Sequence, residues 1–396
     1  MFVPTITAHD LHACGYDLPS AGALAQRGVA TQPTPSEAQV LAAVGGVIEP
    51  ELGRPIGELG MVQGVLVRPG WVQVSLALVV AGHPQGERIR QDVTHAVRAL
   101  GVDEVILDLP AMNDRDRTRL RRHLQGERPQ PSAVFGDSRV LAVASGKGGV
   151  GKSSIATNLA VAIALRGRRV ALLDADVWGF SIPRMMGIRR GPVIIDGLFV
   201  PLPAHGVRVV SVGMLTEESA PVIWRGPMLH KMLEQFVTDV FWDGPDVLVV
   251  DMPPGTGDVS LTVAQLLPDA EVVIVTTPQA AAQRVAQRAA YMAREVKLRV
   301  VGVLENMSWF TGNDGERYEL FGAGGGEMLA HELGVPLLGQ VPLVPAVREG
   351  ADQGEPVVVR QPDGEASRAL GAAAGRLLDL SPGRIRHPQL RITTAG

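Results

Sequence analysis

Cysteine is nearly absent from this chain, which holds a single one, Cys14, in 396 residues. That count rules out an intrachain disulfide and suits a reducing, cytoplasmic compartment. It also removes any metal-ligand spacing, because the histidines are scattered singly and no pair of thiols stands beside them. A basic excess is lacking as well. With 37 Lys and Arg against 41 Asp and Glu, the net charge is -4, so neither nucleic acid nor a membrane surface is an expected partner. No apolar run reaches the roughly 18 residues of a membrane span. The N-terminus has no charged-then-apolar pattern, which argues against export. What remains is 46% hydrophobic and 20% charged, an ordinary globular composition long enough for two or three domains. Internal repeats and low-complexity tracts are missing.

Lysine is the other scarce residue, and its placement is informative. Only Lys147, Lys152, Lys231 and Lys297 occur in the chain, and two of the four fall in S-G-K-G-G-V-G-K-S-S, Ser145 to Ser154. Gly146, Gly151, Lys152 and Ser153 fit G-x-x-x-x-G-K-[ST], a loop that wraps backbone N–H groups around a triphosphate. The apolar run Val140 to Ala144 precedes it, and Ile155, Leu159, Ala162 and Ile163 follow at helical spacing. Strand, loop and helix is the context the motif requires, with the helix N-terminus facing the phosphates. We assign Gly146, Lys147, Gly148, Gly149, Val150, Gly151, Lys152, Ser153 and Ser154 to nucleotide binding. An ammonium is a compact point charge suited to a phosphate nest, whereas a guanidinium is a broad planar fork.

Along the chain, residues 1–35 carry Pro, Gly, Ala and Thr without a period and are expected to be poorly ordered. Ser36 reads as the N-cap of a helix through Val44. Runs Met61 to Val67 and Val72 to Val80 flank Arg68-Pro69-Gly70-Trp71 and predict a hairpin. A helix over Glu87 to Leu100 and a strand over Val105 to Leu109 complete a small α+β domain at 36–125. From Arg121 to Ser138 the sequence is polar and loop-like, which places a linker at 126–138. Residues 139–380 alternate apolar runs with helices. The runs are Val170 to Leu173, Val207 to Val212, Val247 to Val250, Val272 to Val275, Val300 to Leu304 and Leu337 to Val341. The pattern predicts an α/β fold: a mostly parallel sheet covered by helices on both faces, with ligands at the strands' carboxyl ends. Residues 381–396 form a tail.

Three further signals fall at predicted strand ends. Asp174 and Asp176 close one strand with two carboxylates, able to orient water or hold a magnesium shell. Asp251-Met252-Pro253-Pro254-Gly255-Thr256-Gly257-Asp258 closes another with a magnesium-side carboxylate and a segment suited to sensing the γ-phosphate. Asn306 follows a third and is placed to read a purine edge, with Pro342 to Pro345 against the base. No guanine-reading Asn-Lys-x-Asp motif is present, so ATP with Mg2+ is the expected pair. Asp174 and Asp251 are the magnesium-side carboxylates.

With its extra lysine, the phosphate loop resembles the deviant Walker A of the MinD/ParA/Mrp ATPases. Segments D-A-D-V-W-G-F-S-I-P-R-M-M-G (174–187), I-W-R-G-P-M-L-H-K (223–231), V-V-D-M-P-P-G-T-G-D (249–258) and L-E-N-M-S (304–308) are similar to the Mrp/ApbC branch of iron-sulfur cluster carriers, over about residues 138–360. V-I-E-P-E-L-G-R-P-I-G-E-L-G-M-V (47–62) resembles the small iron-sulfur assembly domain often fused ahead of it. The resemblance implies a slow ATPase working as a homodimer in iron-sulfur cluster assembly or transfer, with assembly proteins or apo-protein clients as partners. It implies that Lys147 reaches the partner's nucleotide, Lys152 contacts the β- and γ-phosphates, Ser153 binds magnesium, Asp176 positions water and Asp251 supports the metal. Lys147, Lys152 and Asp176 are thus its catalytic set.

The chain departs from that family in one respect. Carriers hold a shared cluster through a C-x-x-C pair shortly after E-N-M-S, whereas W-F-T-G-N-D-G-E-R-Y-E-L-F-G (309–322) contains no cysteine. The front domain's usual cysteine is replaced by A-G-H-P-Q-G, with His83 near its place. No iron-sulfur ligand is identified, since thiolates are the standard ones. The rival reading is a MinD- or ParA-like switch that positions a partner on membrane or DNA, or a regulatory scaffold. Against it, Ala366 to Leu380 carries only two arginines among Ala and Leu, not a basic amphipathic face.

Overall fold

The computed structural model describes residues 34–176, 179–214, 226–255 and 257–381. Residues 1–33, with Cys14, and the tail 382–396 lie outside the described residues, as do Val177, Trp178, Thr256 and 223–225 of the matched segments. The described chain divides into two compact units. One spans 34–127 together with Val193–Val200, and the other spans 128–192 and 201–381. Among the described residues, no helix is long and apolar enough to cross a membrane.

In the first unit, helix α1 (Glu37–Gly45) starts at a capping box. The Gln39 backbone N–H donates to Ser36 Oγ at 3.3 Å, and the Ser36 N–H donates to Gln39 Oε1 at 2.8 Å. Strands β1 (Val62–Arg68) and β2 (Trp71–Leu76) form the antiparallel hairpin, turning at Gly70 with φ 87°. Helix α2 (Gly86–Arg98) buries Ile89, Val93 and Val97 and carries the chain to β3 (Glu104–Asp108), which pairs parallel to β2. A further helix, α3 (Asp114–Gln125), corrects the expected loop at Arg121 to Gln125. Asn113 caps it by accepting from the Asp116 N–H at 2.9 Å, but only Leu120 and Leu124 are buried on it, too few apolar positions for a helical period. One more helical turn, Pro131–Val134, lies in the stretch read as linker.

The second unit is built on an eight-stranded sheet. In chain order its strands are β4 (Arg139–Ser145), β5 (Val170–Asp174), β8 (Leu202–Ala204), β9 (Val207–Ser211), β10 (Val247–Asp251), β11 (Glu271–Thr276), β12 (Arg299–Asn306) and β15 (Leu337–Val341). Their order across the sheet is β8-β9-β5-β10-β4-β11-β12-β15, and every pairing is parallel except β8 with β9. All the runs expected as strands are in place. β8 is an additional antiparallel edge. Two short hairpins stand apart from this sheet: β6 (Val193–Ile195) with β7 (Leu198–Val200), and β13 (Phe310–Thr311) with β14 (Arg317–Tyr318).

Alternate residues of the central strands serve opposite faces, as the period of two demands. Leu141, Val143, Leu172, Val249 and Val275 share a core with α4 (Lys152–Ala164) and with α10 (Glu365–Asp379). Ala142, Ala144 and Val272 instead face Ala289, Met292 and Ala293 of α7 (Ala280–Glu295). The other helices of nine or more residues are α5 (Gly226–Thr238), α6 (Asp258–Leu266), α8 (Gly325–Leu333) and α9 (Pro345–Gln353). With both faces covered, polar residues gather where the strands end. Register pairs Asp251 with Asp174, and Asp174 with Ser211, at that edge.

Candidate nucleotide site

The phosphate loop joins β4 to α4, and its glycines have distinct reasons. Gly151 is the N-cap of α4 with φ 79°, and Gly149 has φ 82°, both in the left-handed region. At Gly146 the constraint is space: a Cβ there would lie 2.2 Å from the Val285 carbonyl carbon and oxygen of α7. The Gly151 cap has no side-chain hydrogen bond, so the first amides of α4 and its positive dipole end remain available to an anion.

Around this loop the expected side chains converge. Lys152, only 6% exposed, places Nζ 2.7 Å from Asp251 Oδ1, 3.8 Å from Asp176 Oδ2 and 3.3 Å from Ser153 Oγ. The Ser153 hydroxyl donates to Asp251 Oδ2 at 2.6 Å. Asp174 accepts from the Asp176 N–H at 3.1 Å and from the Ser211 hydroxyl at 2.9 Å. Asp176 Oδ1 accepts from the Gly179 N–H at 3.1 Å. The chain enters this cluster from β10 through Met252 and Gly255, whose N–H groups donate to Val143 and Ser145 carbonyls at 3.0 and 2.9 Å.

Three carboxylates beside one ammonium leave the cluster acidic. Burial raises the Asp174 carboxyl to about 7, helped by the charge of Asp251 and opposed by Ser211, the Asp176 amide and Lys152. Burial also raises Asp251, against Lys152 and Ser153. Hard oxygen donors with surplus negative charge are the chemistry of a Mg2+ site that takes one or two carboxylates and completes its shell with phosphates and water. Among the described residues, no group of three or more His, Cys, Asp or Glu could by itself hold a metal ion.

Lys147 stands apart from this cluster, with Nζ 3.4 Å from Gln279 Oε1 at the start of α7. The Ser145 hydroxyl donates to the Lys147 carbonyl at 3.0 Å. Asn306 lies against the loop, its Nδ2 donating to the Val150 carbonyl at 2.9 Å. One of its two amide hydrogens is thus committed to holding the loop rather than to a base. Ser211 and Gln279 escape a reading of the sequence. Each acts through a neighbouring strand or loop, and an isolated Ser or Gln carries no pattern.

At the place where the resemblance implies a cysteine pair, this chain has the β13–β14 hairpin. It is held by Tyr318 Oη donating to Asp314 Oδ2 at 2.5 Å and by the Arg317 guanidinium 4.3 Å from the centre of the Trp309 ring. Glu365 of α10 accepts from Trp309 Nε1 and Thr311 Oγ1 at 3.3 and 3.2 Å. In the first unit, His83 is buried with Nε2 3.4 Å from Glu49 Oε1, and its Nδ1 accepts from the Gln85 N–H at 3.2 Å.

Comparison with known proteins settles the family. Residues 137–378 match the family described as NUBPL iron-transfer P-loop NTPase. This chain belongs to that family. Residues 37–106 match a second, described as iron-sulfur cluster assembly protein. A relative from Mycobacterium bovis, named iron-sulfur cluster carrier protein, is 47% identical over 352 residues, covering 86% of this chain and 92% of its own. A Bacillus subtilis protein of the same name is 43% identical, covering 78% and 88%. Among solved structures, a nucleotide-binding protein from Archaeoglobus fulgidus in complex with ADP matches with TM-score 0.50 and 32% identity, covering 64% of this chain and 95% of that one. The iron-transfer P-loop NTPase family thus accounts for the large unit and its loop, and the assembly family for most of the small one.

Proposed function

We propose that this chain is a cytoplasmic ATPase of iron-sulfur cluster assembly or transfer, working as an ATP-dependent homodimer with slow turnover. The convergence of Lys152, Ser153, Asp176 and Asp251 on the phosphate loop carries the reading. Lys152 contacts the β- and γ-phosphates, giving up its bond to Asp251 as a phosphate takes its place. Ser153, Asp174 and Asp251 would hold Mg2+, which supplies charge neutralisation on the phosphates. Asp176 is the side chain placed to orient water. It keeps its carboxylate fixed through the Gly179 amide, with its second oxygen turned toward Lys152. Lys147, whose Nζ lies 3.4 Å from Gln279 Oε1, would reach the partner's nucleotide.

The cluster is cargo in this reading. The hairpin at 309–318 offers it no thiolate, so the chain acts as a nucleotide-driven assembly factor on client proteins. The names of the curated relatives favour this over a positioning switch on membrane or DNA.

One experiment tests the reading: Mg2+-dependent ATP turnover, nucleotide binding and oligomeric state for the wild type, Lys152→Ala and Lys147→Ala. Lys152→Ala is expected to lose nucleotide binding. Lys147→Ala is expected to bind nucleotide but lose turnover by about 100-fold or more, the scale of losing one transition-state donor, and to remain monomeric with ATP. Full turnover in either variant would overturn the assignment.

A further inference from the structure

Two backbone carbonyls of the phosphate loop are held by side chains at the ends of neighbouring strands. The Ser145 hydroxyl donates to the Lys147 carbonyl at 3.0 Å, and Asn306 Nδ2 donates to the Val150 carbonyl at 2.9 Å. A peptide group is planar and trans, so a carbonyl and the N–H of the next residue point in opposite directions. Holding the Lys147 carbonyl therefore aims the Gly148 N–H away from Ser145, and holding the Val150 carbonyl aims the Gly151 N–H away from Asn306. Such N–H groups are what the loop offers a triphosphate, whereas an unheld glycine-rich backbone can turn either edge of a peptide toward it.

Asn306 is itself firmly seated. It is buried at the end of β12 and pairs in register with Val341 of β15, while Glu305 before it pairs with Thr276 of β11 and Gln340 of β15. The buried Glu305 carboxylate accepts from the Gly326 N–H at 2.6 Å and from Gln340 Nε2 at 2.9 Å, so the strand end cannot slide without breaking buried hydrogen bonds. Immediately after Asn306 the chain turns off the strand at Met307, with φ 57°. The contact with the loop is close enough to dictate sequence: a Cβ at Gly151 would stand 2.3 Å from Asn306 Nδ2. A carbonyl only accepts, so the amide must present its NH2 group to Val150. Ser145 is equally fixed, fully buried at the end of β4 with its own carbonyl accepting from the Gly255 N–H at 2.9 Å.

We infer that Asn306 and Ser145 are positioning residues that set the Val150–Gly151 and Lys147–Gly148 peptide planes, so that loop N–H groups face the phosphates before a nucleotide arrives. The inference rests on the nucleotide reading above. It gives Asn306 a part in phosphate binding that is blind to the base. Preorganised donors of this kind cost no reorganisation when the anion enters.

The test compares two probes by calorimetry in the presence of Mg2+, a non-hydrolysable ATP analogue and inorganic tripolyphosphate, which has no base. The full chain is used as wild type, Asn306→Ala and Ser145→Ala, with melting temperatures recorded in parallel without either probe. Each variant is expected to bind both probes about 5- to 10-fold more weakly, the scale of one hydrogen bond, and by the same factor for the two. Ser145→Ala removes only a hydroxyl, so it keeps the test available if Asn306→Ala impairs folding. A loss confined to the ATP analogue would make Asn306 a reader of the base and overturn the inference. A lowered melting temperature with unchanged affinity for both probes would overturn it too, leaving the two side chains a purely structural role. So would a wild type that binds the analogue but not tripolyphosphate, since its affinity would then not come from a preset loop. Binding of neither probe by the wild type would overturn the nucleotide reading, and the inference with it.

Discussion

At the scale of single residues, the site is a contest between burial and charge, and Asp174 shows it most clearly. Its carboxyl is held at about 7 from an ordinary 3.8, through burial first and the Asp251 charge second. Below both values the group is protonated in the folded and the unfolded chain alike. Between about 4 and about 7 the unfolded chain releases its proton while the folded one keeps it, so the nucleotide-free protein loses stability as pH rises through that window. The two carboxyls titrate as a pair, and the loss is on the order of a few kcal/mol. Melting curves of wild type and Asp174→Asn, recorded without metal or nucleotide from pH 4 to 7, check this. The wild type should lose melting temperature relative to the variant as pH rises, and parallel curves would contradict the assignment. Lys152, Ser153, Asp174, Asp176 and Asp251 were legible because each type has a job at a phosphate. Ser211 was not, because its value depends on β9 lying beside β5, which no local pattern announces.

Elements were legible in proportion to their apolar runs. The parallel strands read as unbroken Val, Ile and Leu because both faces are covered, and their ends located the carboxylates. Helix α3 was lost because arginine fills its exposed side and two leucines alone face inward. β6–β7 carried a usable signal, Asp-Gly between apolar residues, but nothing local assigns it to the first unit. Packing between elements is testable at Gly146, where the phosphate loop lies on the α7 backbone. Gly146→Ala would drive a methyl group to 2.2 Å from the Val285 carbonyl, whereas at Gly148 nothing lies within 4 Å. Backbone cannot rotate away as a side chain can, so Gly146→Ala is expected to cost about 1–3 kcal/mol and displace the loop. Gly148→Ala should leave the melting temperature nearly unchanged. Thermal denaturation of the two variants without nucleotide makes the comparison, and equal losses would refute this account of the loop's seat.

For the whole molecule, the family and the cysteine count pull in different directions, and arithmetic decides which experiment matters. Curated relatives are named for carrying clusters, yet this chain has one cysteine, so a homodimer offers two thiols in total. Cluster types held by protein thiolates alone call for four. The hairpin where the resemblance implies a cysteine pair is instead closed by Asp314, Tyr318, Arg317, Trp309 and Glu365, with Tyr318 and Leu320 left exposed. Such a surface suits contact with another protein better than it suits iron. Anaerobic reconstitution of the full chain with iron and sulfide, with and without ATP and Mg2+, should therefore leave far less than one cluster per dimer, read by iron content and visible absorption. Cys14→Ser should not change the outcome, because one thiol per chain does not complete a ligand set. Adding an apo-protein client that has its own cysteines should make ATP turnover respond, with the cluster ending on the client. A stoichiometric, coloured dimer formed by the chain alone would overturn the assembly-factor reading and restore cargo-holding, while leaving the ATPase assignment intact.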